Sequence, residues 1–389
     1  MSAPSRRWMP WLLDGPVFLG TLFGIVIITA PERVGLVVVP APSDDGVASV
    51  EAPSYLFPLV GFVIMWAALR AAAHAEVIAH RLRDPFGTLV LTLSAIFIEV
   101  ILVIEVMTTG RMEDTVARDT MFASLMLILN GFVGLALVVG ALKHREQVFN
   151  HQSSSAYMAM IAALCTLGLV LPRFTNSAPG GYMSQAMEVF VAGASLGLFV
   201  AFIALQSSTH RDFFVAGRPA SMKGQSRAAA PSLPIGRSVV LLVVSLVTVT
   251  LLADSLGDLL VTTLRRAYLP QTLQGVCIAS LILLPEGITA VRSAFRADVQ
   301  RTINILHGSA VSTIGLTIPA VLIVSHLIGR DVELGLEAPE ITLLAATIMV
   351  SMIQFGHGRT NVMQGIVHLM LFMLWIVLLM DDRIPAVAA

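Results

Sequence analysis

Two glutamates stand where a carboxylate is costly. Glu99 lies in Ala95-Ile-Phe-Ile-Glu-Val-Ile-Leu-Val103 and Glu286 in Leu281-Ile-Leu-Leu-Pro-Glu-Gly287, each inside a long apolar run. A charged side chain at mid-membrane depth costs roughly 2.5–3.5 kcal/mol on insertion scales, so its presence asks for a function. A carboxyl in a low dielectric can hold a proton near neutral pH and release it when a cation arrives. That competition is the simplest chemistry of proton-coupled cation exchange. Pro285 and Gly287 flank Glu286. Proline lacks an N–H and frees a backbone carbonyl, and carbonyls freed in this way can ligate a cation where they line a cavity. A hard cation such as calcium takes six to eight oxygen ligands. Two carboxylates, nearby hydroxyls or amides, and unwound carbonyls supply oxygen of the right kind. Glu99 and Glu286 are therefore the candidate metal-binding and proton-binding residues.

Further oxygen donors sit in neighbouring apolar runs: Thr92 and Ser94, then Asn130, then Asn304, Ser309, Ser312 and Thr313. Serine and threonine in membrane helices also bond the carbonyl four residues back or join helices together, and that reading competes at each position. Glu105, Asp254 and Asp258 are candidates for a proton relay, with Glu76 and Glu188 nearer span ends. An interfacial or packing role competes for these too. His307 reads as a packed histidine, while His357 and His368 are isolated. Cys165 and Cys277 lie in apolar runs and read as buried small hydrophobes, with no disulfide or metal implied.

The elements that position these residues are membrane helices. The chain has 389 residues, is 56% hydrophobic and 13% charged, and has a mean hydropathy of +0.83. Soluble domains run near a quarter charged. Apolar runs predict eleven spans at 11–30, 54–79, 86–109, 120–142, 156–172, 184–206, 238–263, 271–291, 302–328, 339–355 and 362–380, each near the ~20 residues that a bilayer needs. The N-terminus reads as a retained first span rather than a cleaved signal, because Asp14 and Pro16 interrupt it early. A cytoplasmic N-terminus places fifteen Lys and Arg residues inside and eight outside, as the positive-inside rule demands. Arg265 and Arg266 violate it and read as snorkelling side chains. This reading puts the chain in the inner, or cell, membrane as a multi-pass protein in contact with the lipid bilayer. The net charge of −1 gives no reason to expect a nucleic-acid partner. No Walker loop, His-Glu-x-x-His, Gly-x-Ser-x-Gly or Cys-x-x-Cys is present, so neither direct ATP drive nor a soluble-enzyme chemistry is indicated, and no cofactor is expected.

Organisation follows from the breaks. Residues 1–53 hold the extra first helix and an external loop. Residues 54–206 and 238–389 each carry five spans, the second with a C-terminal tail, and 207–237 is a basic Gly/Pro/Ser/Ala-rich cytoplasmic linker. Five is odd, so two such halves must have opposite orientations. Inverted repeats of this kind bind their ions near the midplane. The fold class is thus an all-α polytopic membrane protein of about eleven transmembrane helices. It consists of one N-terminal helix plus two inverted five-helix repeats. The halves share a pattern. A basic/Pro break, Arg81-Leu-Arg-Asp-Pro85 or Arg265-Arg-Ala-Tyr-Leu-Pro270, is followed by a glycine, and a glutamate comes 12 residues after Gly87 and 11 after Gly275.

At these residues the chain resembles a known family. Phe86-Gly-Thr-Leu-Val-Leu-Thr-Leu-Ser-Ala-Ile-Phe-Ile-Glu-Val100 and Leu284-Pro-Glu-Gly-Ile-Thr-Ala-Val291 resemble the two signature repeats of the ChaA-type calcium/proton antiporters. These belong to the cation/proton exchanger family of the calcium/cation antiporter superfamily. Leu142-Lys-His-Arg-Glu-Gln-Val-Phe-Asn150, Thr209-His-Arg-Asp-Phe-Phe214 and Gly308-Ser-Ala-Val-Ser-Thr-Ile-Gly-Leu-Thr-Ile-Pro319 match further stretches in order. The resemblance implies that Glu99 and Glu286 are the central acids, with Ser309 and Asn130 as neighbouring ligands. It also implies export of calcium, or in this branch sodium or potassium, driven by inward proton flow. Two features depart from the wider family. The Asn of its Gly-Asn-x-x-Glu pattern is absent before both glutamates, and a basic linker replaces an acidic segment between the halves. Two readings of other classes compete: an intramembrane enzyme using paired acids on one water, and a passive cation channel. The occurrence of each acid in an equivalent helix of an inverted half favours the carrier.

Overall fold

The computed structural model describes residues 9–29, 37–39, 49–51, 56–82, 86–108, 114–207, 234–267, 269–270 and 273–381. Eleven helical rods account for almost all of them. They are α1 (Met9–Thr29), α2 (Leu56–Arg81) and α3 (Phe86–Thr108), then α4 (Val116–His144) and α5 (His151–Phe174). Next come α6 (Gln185–Ser207), α7 (Ile235–Arg266), α8 (Leu273–Phe295), α9 (Val299–Ile328), α10 (Ala338–Phe355) and α11 (Val362–Asp381). Among the described residues nine helices are long and apolar enough to cross a membrane, and Asp14–Ile27 of α1 is a shorter apolar stretch. The eleven predicted spans each fall on one rod. Of the stretch read as a linker, residues 208–233 lie outside the described residues.

The rods group into two compact units, and neither is a contiguous half of the sequence. One unit comprises residues 1–112 and 229–271, the other 113–228 and 272–389. The first holds α1, α2, α3 and α7, with a hairpin pairing β1 (Val37–Val39) antiparallel to β2 (Ser49–Glu51). Its α2 buries Ala67, Ala71 and Ala75 completely. These residues recur every fourth position, so they share one face, and small residues let membrane helices approach closely. At 32 residues α7 is the longest helix among the described residues. At 1.5 Å per residue it runs about 48 Å, well beyond the ~30 Å hydrocarbon core. Its last turn ends in Arg265 and Arg266, both exposed, as snorkelling side chains beyond the apolar layer should be.

The second unit holds α4, α5, α6, α8, α9, α10 and α11. Its centre is α9, which packs on α4, α5, α6 and α8 and buries Leu306, Ala310, Val311, Ile314, Ile318 and Val321 at 2% exposure or less. Gly134 of α4 and Gly365 of α11 allow those helices to touch backbone to backbone. A Cβ on Gly134 would lie 3.0 Å from the Gly365 carbonyl oxygen, so neither position has room for a side chain. A two-residue ladder pairs β3 (Gln147–Val148) antiparallel with β4 (Arg359–Thr360), joining the loop after α4 to the loop before α11. Beside it, Gln147 donates to the Ala294 carbonyl at 3.0 Å, and the Lys143 ammonium sits 3.6 Å from the centre of the Phe295 ring.

Candidate functional site

Glu286 is half-buried on α8, between the helix-interior Pro285 and Gly287. Pro285 cannot donate to the Leu281 carbonyl one turn back. Gly287 leaves room for the Phe132 ring of α4, which would lie 2.7 Å or less from any Cβ there. The Ser309 hydroxyl of α9 donates directly to the Glu286 carboxylate. A carboxylate of α8, a hydroxyl of α9 held against it and, five residues back along α8, a carbonyl without its helical donor are therefore available here. All three are hard oxygen ligands, and the carboxylate is also the group a proton would occupy.

Glu99 belongs to the other unit. It is 4% exposed on α3, among the buried Ile96, Ile98, Leu102 and Val103. Ser94, five residues earlier, donates to the Val90 carbonyl at 2.7 Å, and Ser312 donates to the Gly308 carbonyl at 2.5 Å. Both hydroxyls thus make the back-bond usual for serine in membrane helices, with lone pairs left over. Asp258 is half-buried on α7. The side chains of Thr92, Glu105 and Asp254 lie outside the described residues. Asn304 accepts from Gln300 at 2.9 Å, in a polar cluster with Ser153 at the N-terminal end of α9. Cys165 is buried and Cys277 half-buried, both as free thiols. Among the described residues no group of three or more His, Cys, Asp or Glu side chains could hold a metal.

Asn130 occupies the middle of a π-helical turn, Leu127–Phe132, that interrupts α4. Such turns mark functional sites more often than chance. Its amide nitrogen donates to Thr347 of α10 at 2.8 Å. Its carbonyl oxygen lies 3.1 Å from Nδ1 of His368 on α11. That oxygen only accepts, so Nδ1 of His368 carries the proton. Sequence reasoning left His368 isolated, and the structure makes it Asn130's partner. His307 reads correctly as packed: it is fully buried and stands edge-on to Phe355 at 4.8 Å between ring centres. Sequence reasoning also passed over Arg118. This buried cation of α4 bonds Glu333 at 2.6 Å and the Gly335 carbonyl at 3.2 Å, and pairs with its neighbour Asp119 at 2.8 Å. Burial pushes the Glu333 carboxyl above its ordinary value, against the opposing pull of Arg118.

Nine described helices long and apolar enough to cross a membrane, one of them carrying a glutamate beside a proline, define a polytopic membrane protein. The sodium/calcium exchanger protein family matches residues 54–208 and 237–380, and the chain belongs to that family. The sodium-potassium/proton antiporter ChaA of Escherichia coli is 32% identical over 82% of this chain and 86% of its own. The Ca(2+)/H(+) antiporter of Aphanothece halophytica is 22% identical over 64% and 70%. Among solved structures, the H+/Ca2+ exchanger CAX superposes with a TM-score of 0.69 at 16% identity, covering 98% of this chain and 90% of that one. At that identity the match speaks for the fold alone.

Proposed function

We propose that this protein is a secondary active cation/proton antiporter, in which Glu99 and Glu286 bind cation and proton in turn by alternating access. It works as a carrier and not as an enzyme. The observation that carries this reading is Glu286 itself: a carboxylate inside an apolar helix, next in sequence to Pro285, with the Ser309 hydroxyl bonded to it. A carboxylate so placed is costly to leave bare, so a bound proton or a bound cation relieves it, which is what exchange requires. Both relatives described above are proton antiporters by name, which supports the proton as the coupling ion.

Calcium is our first reading of the cation, since carboxylate, hydroxyl and carbonyl oxygens are the ligands it prefers. Sodium or potassium is the second, favoured by the higher identity of the sodium-potassium/proton antiporter. The chain resides in the cell membrane with its N-terminus in the cytoplasm, as the Lys and Arg distribution supports. Everted vesicles energised by respiration test the proposal through lumenal pH as calcium, sodium or potassium is added singly. One cation should collapse the gradient in the unmodified protein, and neither Glu99→Gln nor Glu286→Gln should respond to it. A channel would instead pass the cation without moving protons. Variants that behave like the unmodified protein would remove the two glutamates from the mechanism.

A further inference from the structure

The first helix lies outside both stretches matched by the family, yet it carries a fully buried charge. Asp14 of α1 is 1% exposed. Its Oδ1 accepts from Arg70 Nε at 2.9 Å and lies 2.7 Å from Arg70 Nη2 and 3.1 Å from His74 Nε2. Its Oδ2 lies 3.5 Å from Arg237 Nη2. Arg70 and His74 are one turn apart on α2, and Arg237 stands in the first turn of α7. One carboxylate therefore ties three helices of this unit together. Further along the helix, the Thr21 and Thr248 hydroxyls bond at 2.6 Å and join α1 to α7 again. Apolar side chains of similar volume often stabilise a buried site as well as an ion pair does, so packing alone does not explain four ionisable groups here.

His74 gives the cluster two states. Its Nε2 lies 3.1 Å from Asp14 Oδ1 and 3.2 Å from Arg70 Nη2. A carboxylate oxygen only accepts and a guanidinium only donates, so one nitrogen cannot serve both. Protonated, Nε2 donates to Asp14; bare, it accepts from Arg70. The charged groups that face His74 are Asp14 from α1, Arg70 from its own helix and Arg237 from α7. With a neutral imidazole, two guanidinium groups surround one carboxylate. A proton taken up from water adds a third cation and competes with Arg70 for Oδ1.

We propose that Asp14, Arg70, His74 and Arg237 form a proton-responsive latch that holds α1 on α2 and α7 when His74 is neutral and loosens when it is protonated. The latch is separate from the acids proposed to carry the cation, since none of its four residues is a candidate ligand. It would let pH alter the first helix whether or not transport is under way.

Thermal unfolding of the purified full-length chain in detergent, from about pH 8 to about pH 5.5, brackets the ordinary imidazole value of about 6.5. The unmodified protein should lose several degrees relative to His74→Gln as pH falls, because glutamine keeps a hydrogen-bonding group without the added charge. Parallel curves would overturn the latch. Hydrogen exchange on the unmodified protein asks the same question without relying on a variant. Corrected for intrinsic rates, amides of residues 9–29 should open about tenfold more readily at the acid end while those of α9 do not, a ratio equivalent to one decade of proton linkage. Unchanged relative protection of α1 would be equally fatal to the proposal.

Discussion

The Ser309 hydroxyl and the Glu286 carboxylate make a pair in which the serine has no competing bond to satisfy it among those seen. Hydrogen bonds to charged groups are worth roughly 1.5–3 kcal/mol. Ser309→Ala should therefore raise the KM for the exchanged cation about tenfold or more, with a folded protein and a smaller effect on maximal rate. Cation titrations in everted vesicles read this directly, and an unchanged KM would take Ser309 out of the site. Asn130 makes a contrasting case. Its amide is engaged with Thr347 and His368, so Asn130→Ala strands two buried polar groups at roughly 1–3 kcal/mol each. A lowered Tm in detergent is the expected result. Intact stability with lost transport would mark Asn130 as a ligand rather than a brace. Glu286 was legible in the sequence because a carboxylate in an apolar run has few alternative explanations. The Asn130–His368 contact was not, because 238 residues separate its partners and neither histidine nor asparagine signals a partner at that range.

Among the elements, span existence was legible and span interior was not. Hydropathy locates each rod because the bilayer imposes a minimum length and an apolar composition on its spans. The π-helical turns at Leu127–Phe132 and Thr166–Val170 insert a residue without proline and leave hydropathy unchanged, so nothing in the sequence announces them. The charged link between α4 and the segment before α10 was equally hidden. Arg118 is 7% exposed and faces Asp119, Glu333 and Glu340. Removing one partner of a buried ion pair costs about 3–5 kcal/mol, and Arg118→Ala should lower the midpoint of unfolding accordingly. Glu333 adds a pH dependence whose sign follows from its raised carboxyl. The folded state then binds the proton more tightly than the unfolded state does, so this group stabilises below its unfolded value and loses that contribution as pH rises through the folded one. Glu333→Gln has no such loss. Its Tm should gain on that of the unmodified protein as pH rises above the ordinary glutamate value of about 4, and a gap that stays constant or closes would contradict the assignment.

At the scale of the whole chain, the two compact units cut across the two sequence halves. One unit needs α1 to α3 together with α7, and the other needs α4 to α6 together with α8 to α11. A fragment ending before residue 235 therefore lacks α7, against which α2 packs extensively, and it also lacks the central helix α9. The complementary fragment lacks α2 and α4. Neither can bury its apolar and polar faces alone, since each unit draws on both sides of the break and membrane helices associate by packing and hydrogen bonding once inserted. Cutting the chain within residues 208–233, outside the described residues, should leave every described helix and every described hydrogen bond intact. The two pieces expressed together should restore cation-dependent proton movement in everted vesicles and copurify through a tag on either one, while each piece alone gives neither exchange nor stable protein. Exchange by a single fragment would mean that a sequence half is the working unit. Failure of an inserted, copurifying pair to exchange would mean that the covalent connection takes part in transport itself.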